Sequence, residues 1–446
     1  FYGGHMAVVT RSLDNLCELC TQLGILDKVV PTGRSKQSAS GLKILKKDYI
    51  LALRDYYLAI DFPTGNIPKH LQLMLSLESP MLCNRMQNMK EHQVTEIWQS
   101  PKWKFEEKMD GVRMLIVFVR GEGIHFYSRN TSVQNYRCVE YKNIWMPGFN
   151  VKVLDDLYDS FILDTEVICP NPNISTVIGN RGVKTETMLA AVTALLGLND
   201  SDSLMVQQRE NCQLRFCAFD VLYVNGSWFT SDKTTRKTQR ERDPFTSDIA
   251  KAVQLAGIDC IRLSEVSDPA LKKPYYDMII NNRGEGVIAK NLDGLYYAID
   301  NRTCVPWVKL KRTMSNSLTA TPLNDCVDCF VTGFERGDKG KQYENYVGKL
   351  KFSVFLTKAD GTQTIHEIAH IGSFTFAERK EMTVYDPATD TVSLKPEYYG
   401  RVIEADGQNI SSREQRIRQA KVIRWRSDKD KYQCVMTEEE LKAMIF

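Results

Sequence analysis

Long apolar runs, charge of one sign and a secretory leader are all missing from this 446-residue chain. Without a stretch of about 20 apolar residues no membrane-spanning helix is expected. The opening residues also lack the charged and apolar regions of a signal peptide, so an intracellular protein is expected. Phe1-Tyr2-Gly3-Gly4-His5 reads as a cloning remnant and Met6 as the native start. Lys and Arg number 58 against 55 Asp and Glu, a net charge of +3; affinity for nucleic acid must then come from local patches. The twelve cysteines are scattered, which argues against a disulfide framework and for a reducing compartment. Cys17 with Cys20 and Cys326 with Cys329 are Cys-x-x-Cys pairs with no histidine pair near either. Buried thiols are the expectation there, and a shared zinc site the alternative. The length implies two or three domains, each with a core of its own.

What is present centres on Glu106-Glu107-Lys108-Met109-Asp110-Gly111-Val112-Arg113. It lies between a strand over Lys102 to Glu106, alternating around Trp103 and Phe105, and a strand over Val112 to Val119, so Lys108 sits where a sheet edge meets a tight glycine turn. A free lysine has a pKa near 10.4, and an amine that attacks phosphorus must be held neutral. The cations expected to do this are Lys290, in Glu285-Gly286-Val287-Ile288-Ala289-Lys290, and Lys309 and Lys311, in Trp307-Val308-Lys309-Leu310-Lys311. Alone, the motif would equally describe a surface lysine before a hairpin. Its companions along the chain are Ser128-Arg129-Asn130, then Asp164 and Glu166 in an apolar strand over Phe161 to Ile168, then Phe219-Asp220 in a strand over Leu214 to Val224. A charge in such a strand is costly unless paired or metal-bound, which singles out Glu166.

The series K-x-D-G-x-R, S-R-N, L-D-x-E, F-D-x-L, E-G-V-I-A-K and W-V-K-L-K, in that order from about Pro80 onward, resembles the nucleotidyltransferase motifs of ATP-dependent DNA ligases. The resemblance implies an α+β adenylation domain of antiparallel sheets with helices, ATP-grasp-like, over residues 80–316. It implies a β-barrel OB-fold over 317–446 and leaves 1–79 as a small helical domain. It also implies ATP and Mg2+ as cofactors and Lys108 as the adenylated residue. Asp110, Lys290, Lys309 and Lys311 would assist catalysis, and Glu106, Arg113, Arg129, Glu166, Phe219 and Glu285 would bind the nucleotide. Glu106 would read the adenine amine, Phe219 would stack on the base, and Glu166 and Glu285 would hold the metal. Arg426, Asp428 and Lys429 resemble the last family motif, R-x-D-K, and would orient the pyrophosphate of ATP. The family usually has Gly where this chain has Thr165, and a phenylalanine-proline where it has Gln419-Ala420. Both departures touch backbone geometry.

Before Pro80, a helix from the N-cap Ser12 with Leu13, Leu16, Cys20 and Leu23 on one face ends at Gly24. A second helix runs from Asp48 to about Ala59, after a basic loop holding Arg34, Lys36, Lys43, Lys46 and Lys47. The pair is similar to SAP-type DNA-binding modules; a helical cap with solvated lysines is the alternative. Asp232 to Pro244 reads as an exposed charged loop, with helices expected from about Thr246 to Ala256 and Pro269 to Asn281. Under simple alternation Glu285 and Lys290 fall on opposite faces, so a twist, a bulge or Gly286 must reconcile them. After Ser317, runs at Cys329–Phe334, Leu350–Thr357 and Gln363–His370 suit the OB-fold. The expected partner is nicked duplex DNA, met by a monomer inside a bacterial host, a nucleus or a virus factory. An RNA or mixed-end ligase and a messenger RNA capping guanylyltransferase share this chemistry, and a non-enzymatic nucleic-acid-binding module is the reading of another class.

Overall fold

The computed structural model describes residues 13–34, 42–77, 80–86, 89–132, 134–230, 232–297, 306–311 and 326–445. Ser12, Lys36 and Ser317 lie outside them. The chain forms two compact units, one holding Cys20–Leu310 and the other holding Thr10–Leu19 with Lys311–Phe446. The strands used below are, in chain order, Trp103–Glu107 (β1), Val112–Val119 (β2), Gly123–Thr131 (β3), Cys138–Tyr141 (β4), Ser160–Ile168 (β5), Arg215–Val224 (β6), Cys260–Arg262 (β7), Glu265–Val266 (β8), Gly286–Asn291 (β9), Trp307–Lys311 (β10), Val327–Arg336 (β11), Val347–Thr357 (β12), Gln363–Ile371 (β13), Val402–Asp406 (β14) and Lys421–Arg426 (β15).

The first unit carries two large sheets, besides a short antiparallel pairing of Gly33–Arg34 with Leu42–Lys43. One has the antiparallel order β6-β5-β2-β3-β4, with β7 parallel to β6 and Ser227–Trp228 hairpinned onto its end. Asn225 and Gly226 form that hairpin turn with φ of +46° and +91°, the left-handed pair a two-residue turn needs. The other sheet has the order β8-β1-β9-β10, ending on Asn84–Arg85. β2 is apolar at nearly every position because both of its faces are covered. Met114, Ile116 and Phe118 enter a core with Phe161, Leu195 and Val253, while Leu115 and Val117 enter another with Leu58, Leu71 and Met74. Under the second sheet Phe105, Val287 and Val308 pack on Ile97, Tyr276 and Ile279.

The helices used below are α1 (Leu13–Gln22), α2 (Lys46–Asp61), α3 (Lys69–Ser76), α4 (Glu91–Gln99), α5 (Met188–Leu196), α6 (Asp200–Arg209), α7 (Gln239–Leu255) and α8 (Pro269–Asn281). α3, α4 and α6 were not expected from sequence; each is short and begins in a polar or proline-marked stretch. The charged loop expected up to Pro244 is instead the start of α7. Thr238 caps it, with Glu241 completing a capping box, and Pro244 is taken into the helix. Most of the charge there is exposed, as expected, and Arg242 is the exception. Arg242 and Asp220 are both fully buried and form a two-point ion pair, Nε to Oδ1 at 2.8 Å and Nη2 to Oδ2 at 3.0 Å. Gln239 Oε1 accepts from Arg242 at 2.9 Å and from the Trp307 indole at 2.8 Å, so α7 sets the position of β10.

The second unit has one large sheet, β13-β12-β11-β14-β15, antiparallel along that order, with Val435–Thr437 added parallel to β12, and a separate antiparallel pair of Thr383–Asp386 with Thr391–Leu394. Val331, Leu350, Phe352, Ile368 and Ile403 form its core. Among the described residues no cysteine joins a metal-ligating cluster, and no helix is long and apolar enough to cross a membrane.

Breaking the Arg242–Asp220 pair from one side strands a buried carboxylate. Arg242→Ala is expected to cost about 3–5 kcal/mol of stability, read as a lower urea midpoint for the first unit.

Candidate active site

Alternation along β1 turns Trp103 and Phe105 into the core beneath the sheet. Lys104, Glu106 and Lys108 share the other side by the two-residue repeat. There Lys108 and Glu106 help line a cavity of about 710 Å3, with Arg113, Ser128, Arg129, Glu166, Phe219, Lys290, Trp307 and Lys309.

The expected ring of cations about Lys108 is not what the structure holds. Its backbone N–H donates to Gly286 O at 2.8 Å, and its ammonium donates to Glu285 Oε2 at 2.6 Å. Burial disfavours the charged amine, but Glu285 and then Glu166 favour it more, so the pKa lies above the ordinary lysine value. Of the expected cations, Lys290 goes to Glu106 instead. Lys104 lies 2.9 Å from Oε1, Arg262 3.0 Å from Oε1 and Lys290 2.6 Å from Oε2. Glu106 is 1% exposed. Burial alone would raise its pKa, but these three partners hold it far below the carboxylate range. Two carboxylate oxygens offer about four lone pairs, so Glu106 has room for one further donor.

Glu285 and Lys290 do reach one side of β1, and the glycine between them is the reason. Gly286 takes φ +137°, which side-chain-bearing residues rarely adopt, and the strand begins only there. Lys290 Nζ also donates to Phe219 O at 2.7 Å and lies 5.1 Å from the Phe219 ring centre. Arg113 approaches the same ring at 5.3 Å, and Trp307 meets it edge-on at 5.9 Å.

Arg113, expected to hold phosphate, spends its fork on buried Asp164, at 2.9 and 2.5 Å, and on Met81 O at 2.7 Å. Its other donors alone face the cavity. Gly111 serves by lack of bulk rather than by a turn: a Cβ there would lie 2.3 Å from Val167 O. That closeness lets Gly111 N–H donate to Glu166 Oε1 at 3.2 Å. Glu166 has no ion pair among the described residues, and burial chiefly pushes its pKa up to about 7. Thr165, in the place of the family's glycine, is fully buried with its hydroxyl donating to Met114 O at 2.7 Å; the β5–β6 ladder shifts register beside it.

Ser128, Arg129 and Asn130 belong to β3 rather than to a turn. Asp110 and Lys311 are not among the described residues that line the cavity; Lys309, two positions before Lys311, is. In the second unit Arg426 pairs with Asp428 at 2.7 Å and with Asp328 at 3.4 Å, and Lys429 pairs with Asp328. Sequence reasoning missed Lys104, Arg262, Asp243 and Glu265, the charges around Glu106. Lys104 ion-pairs Asp243 at 2.7 Å and Glu265 at 2.6 Å. The signal for Lys104 was the alternating Lys104, Glu106, Lys108; the others are joined only by folding.

Residues 80–311 match the family model described as ATP dependent DNA ligase domain. The chain belongs to this family. A "Probable DNA ligase" of Dictyoglomus turgidum is 26% identical over 308 residues, covering 68% of this chain and 46% of the relative. A second, of Dictyoglomus thermophilum, is 26% identical over 268 residues, covering 60% of this chain and 40% of that protein. This ligase-family chain thus spans under half the length of these curated relatives. The solved structure Pmar-Lig_PreS3 shares its fold at a TM-score of 0.50 and 16% identity, over 91% of this chain and 78% of that one. The ligase domain therefore contains the cavity and Lys108, whereas Arg426, Asp428 and Lys429 lie beyond the matched residues.

The raised pKa of Glu166 has a sign that can be checked. A carboxyl near 4.5 unfolded and about 7 folded stabilises the fold below the first value relative to above the second. As pH rises through this window without divalent cation, the ligase domain is expected to lose stability that Glu166→Gln retains, seen as diverging denaturation midpoints.

Proposed function

We propose that this chain seals breaks between a 5′-phosphate and a 3′-hydroxyl in duplex DNA, with Lys108 carrying AMP from ATP to the break. What carries the reading is the cavity of about 710 Å3, where one amine meets Glu166, the Phe219 ring, Arg129 and Lys309, on motifs in the chain order of the family. Residues 1–79 are read as a small helical domain, 80–316 as the adenylation domain and 317–446 as an OB-fold; the core that Leu58, Leu71 and Met74 share with Leu115 and Val117 favours a helical cap over a separate SAP-type module.

Lys108 starts as an ammonium on Glu285 and must release its proton, for which Glu285 is the acceptor within reach. The neutral Nζ attacks the α-phosphorus of ATP; a P–N bond forms, the bond to the bridging oxygen breaks, and pyrophosphate leaves. Lys309 and Arg129 offset the charge that gathers on the phosphate oxygens, and Arg426, Asp428 and Lys429 orient the pyrophosphate. Phe219 stacks on adenine, and Glu106 accepts one hydrogen bond from its amine. Next a 5′-phosphate oxygen of the break attacks the same phosphorus, the P–N bond breaks, and the amine leaves on regaining a proton. The 3′-hydroxyl then attacks the 5′-phosphorus, loses its proton and displaces AMP. Glu166 and Glu285 fit a magnesium ion, being oxygen donors beside the amine, Glu166 having no ion pair among the described residues; when bound, it would neutralise phosphate charge.

Incubation with labelled ATP is expected to leave AMP on the protein, and Lys108→Ala to abolish both this label and sealing. Label from GTP without label from ATP, or unimpaired sealing by Lys108→Ala, would overturn the reading. Nicked duplexes with DNA or RNA on either side of the break separate a DNA ligase from one that accepts RNA. Glu285→Gln removes the group that favours the charged amine. The rise of adenylation rate with pH is therefore expected to shift to lower pH while the plateau falls, as single-turnover rates would show.

A further inference from the structure

Away from the cavity, four polar side chains converge where α3 meets the edge of the antiparallel sheet. His70 is on α3, His125 on β3 and Glu140 on β4, and Glu122 is in the turn before β3. We propose that His70, His125 and Glu140 bind one divalent transition-metal ion, zinc by ligand type, with the Glu122 carboxylate beside it, which fastens α3 to the sheet.

One potential ligand atom from each of His70, His125 and Glu140 lies within 4.8 Å of the others. Each histidine has one nitrogen engaged outside the cluster and the other turned into it. His70 Nδ1 meets the Tyr127 hydroxyl at 2.7 Å, leaving Nε2, which lies 3.8 Å from Glu122 Oε1. His125 Nε2 donates to Glu122 O at 3.0 Å, leaving Nδ1, which lies 2.7 Å from Glu140 Oε1. Fixing the far nitrogen on a carbonyl or hydroxyl is how proteins orient a metal-ligating imidazole.

Charge points the same way. To serve both Glu140 and the Glu122 carbonyl without a metal, His125 must carry two protons. It would then be a cation stacked on His70, with ring centres 3.4 Å apart and planes 4° from parallel. A dication between two neutral imidazoles and the Glu140 carboxylate removes the need for that second proton and has the nitrogen and oxygen ligands zinc prefers. Binding turns the two rings out of their stack and releases the extra proton of His125. Glu122 also accepts from the N–H groups of Lys69 and His70 at 2.9 and 3.2 Å, so the ion would tie the start of α3 to the sheet. The three side chains named first all line, with Tyr127, the wall of a second cavity of about 830 Å3, which gives the ion a route. The imidazoles distinguish this site from the carboxylate pair beside Lys108.

The test loads full-length protein with Co2+ and with Zn2+. Wild type is expected to bind one Co2+ per chain with visible bands of tetrahedral intensity, and Zn2+ is expected to raise its melting temperature. Glu140→Gln, which keeps the shape, and His125→Ala are expected to lose the bands and the zinc-dependent shift. Circular dichroism confirms that the variants are folded, and Glu166→Gln is expected to keep both signals. Absence of the bands in wild type, or their survival in both variants, overturns the proposal.

Discussion

A carboxylate cannot sit in a protein interior uncompensated, and Glu106 sits in one. Three cations from three separate stretches converge on it: Lys104 from its own strand, Arg262 from β7 and Lys290 from β9. Because this compensation is electrostatic and directional, it fixes how the β1 and β9 segments and the edge of the other sheet approach one another. Lys108 is two residues along the same strand, and its surroundings follow from that clamp. The amine is delivered to Glu285 and to the cavity by a backbone whose register the buried charges have already set. Of the cations expected to lower its pKa, Lys290 is committed to Glu106, and Glu285 holds the resting amine in its charged form.

Much of this was legible in the sequence wherever periodicity spoke plainly. The eight-residue β2 and helix α8 fall where read, because one is apolar at every position but Arg113 and the other begins at an Asp-Pro cap. The charged start of α7 misled for a physical reason: Arg242 looks solvated until Asp220, 22 positions earlier, is folded against it. Similarly, β3 runs on through Arg129 although Ser-Arg-Asn suggests a turn, since its far half pairs across an irregular stretch with β4. Site residues separated by long loops were legible only through motif order. Lys104 was readable by alternation, and Arg262, Asp243 and Glu265 were not, as nothing local announces a partner 150 residues away.

The two sides of the cavity are built on different principles. On the amine side, polar groups are paired in ladders of charge. On the side of Phe219, an aromatic ring is held by Trp307, which is itself oriented by Gln239 and, behind it, by the Arg242–Asp220 pair. A flat apolar face and a charged wall facing each other across one space suit a molecule with a base at one end and phosphates at the other.

Thr165 carries one last implication. At a strand crossing where relatives commonly place the smallest residue, this chain tolerates a branched one, because its hydroxyl finds the Met114 carbonyl and its neighbour ladder slips by a position to make room. What that spot demands is compactness and self-sufficiency in hydrogen bonding rather than a particular letter. A motif scan that insisted on the letter would pass this chain by, while one written in terms of volume and polarity would keep it.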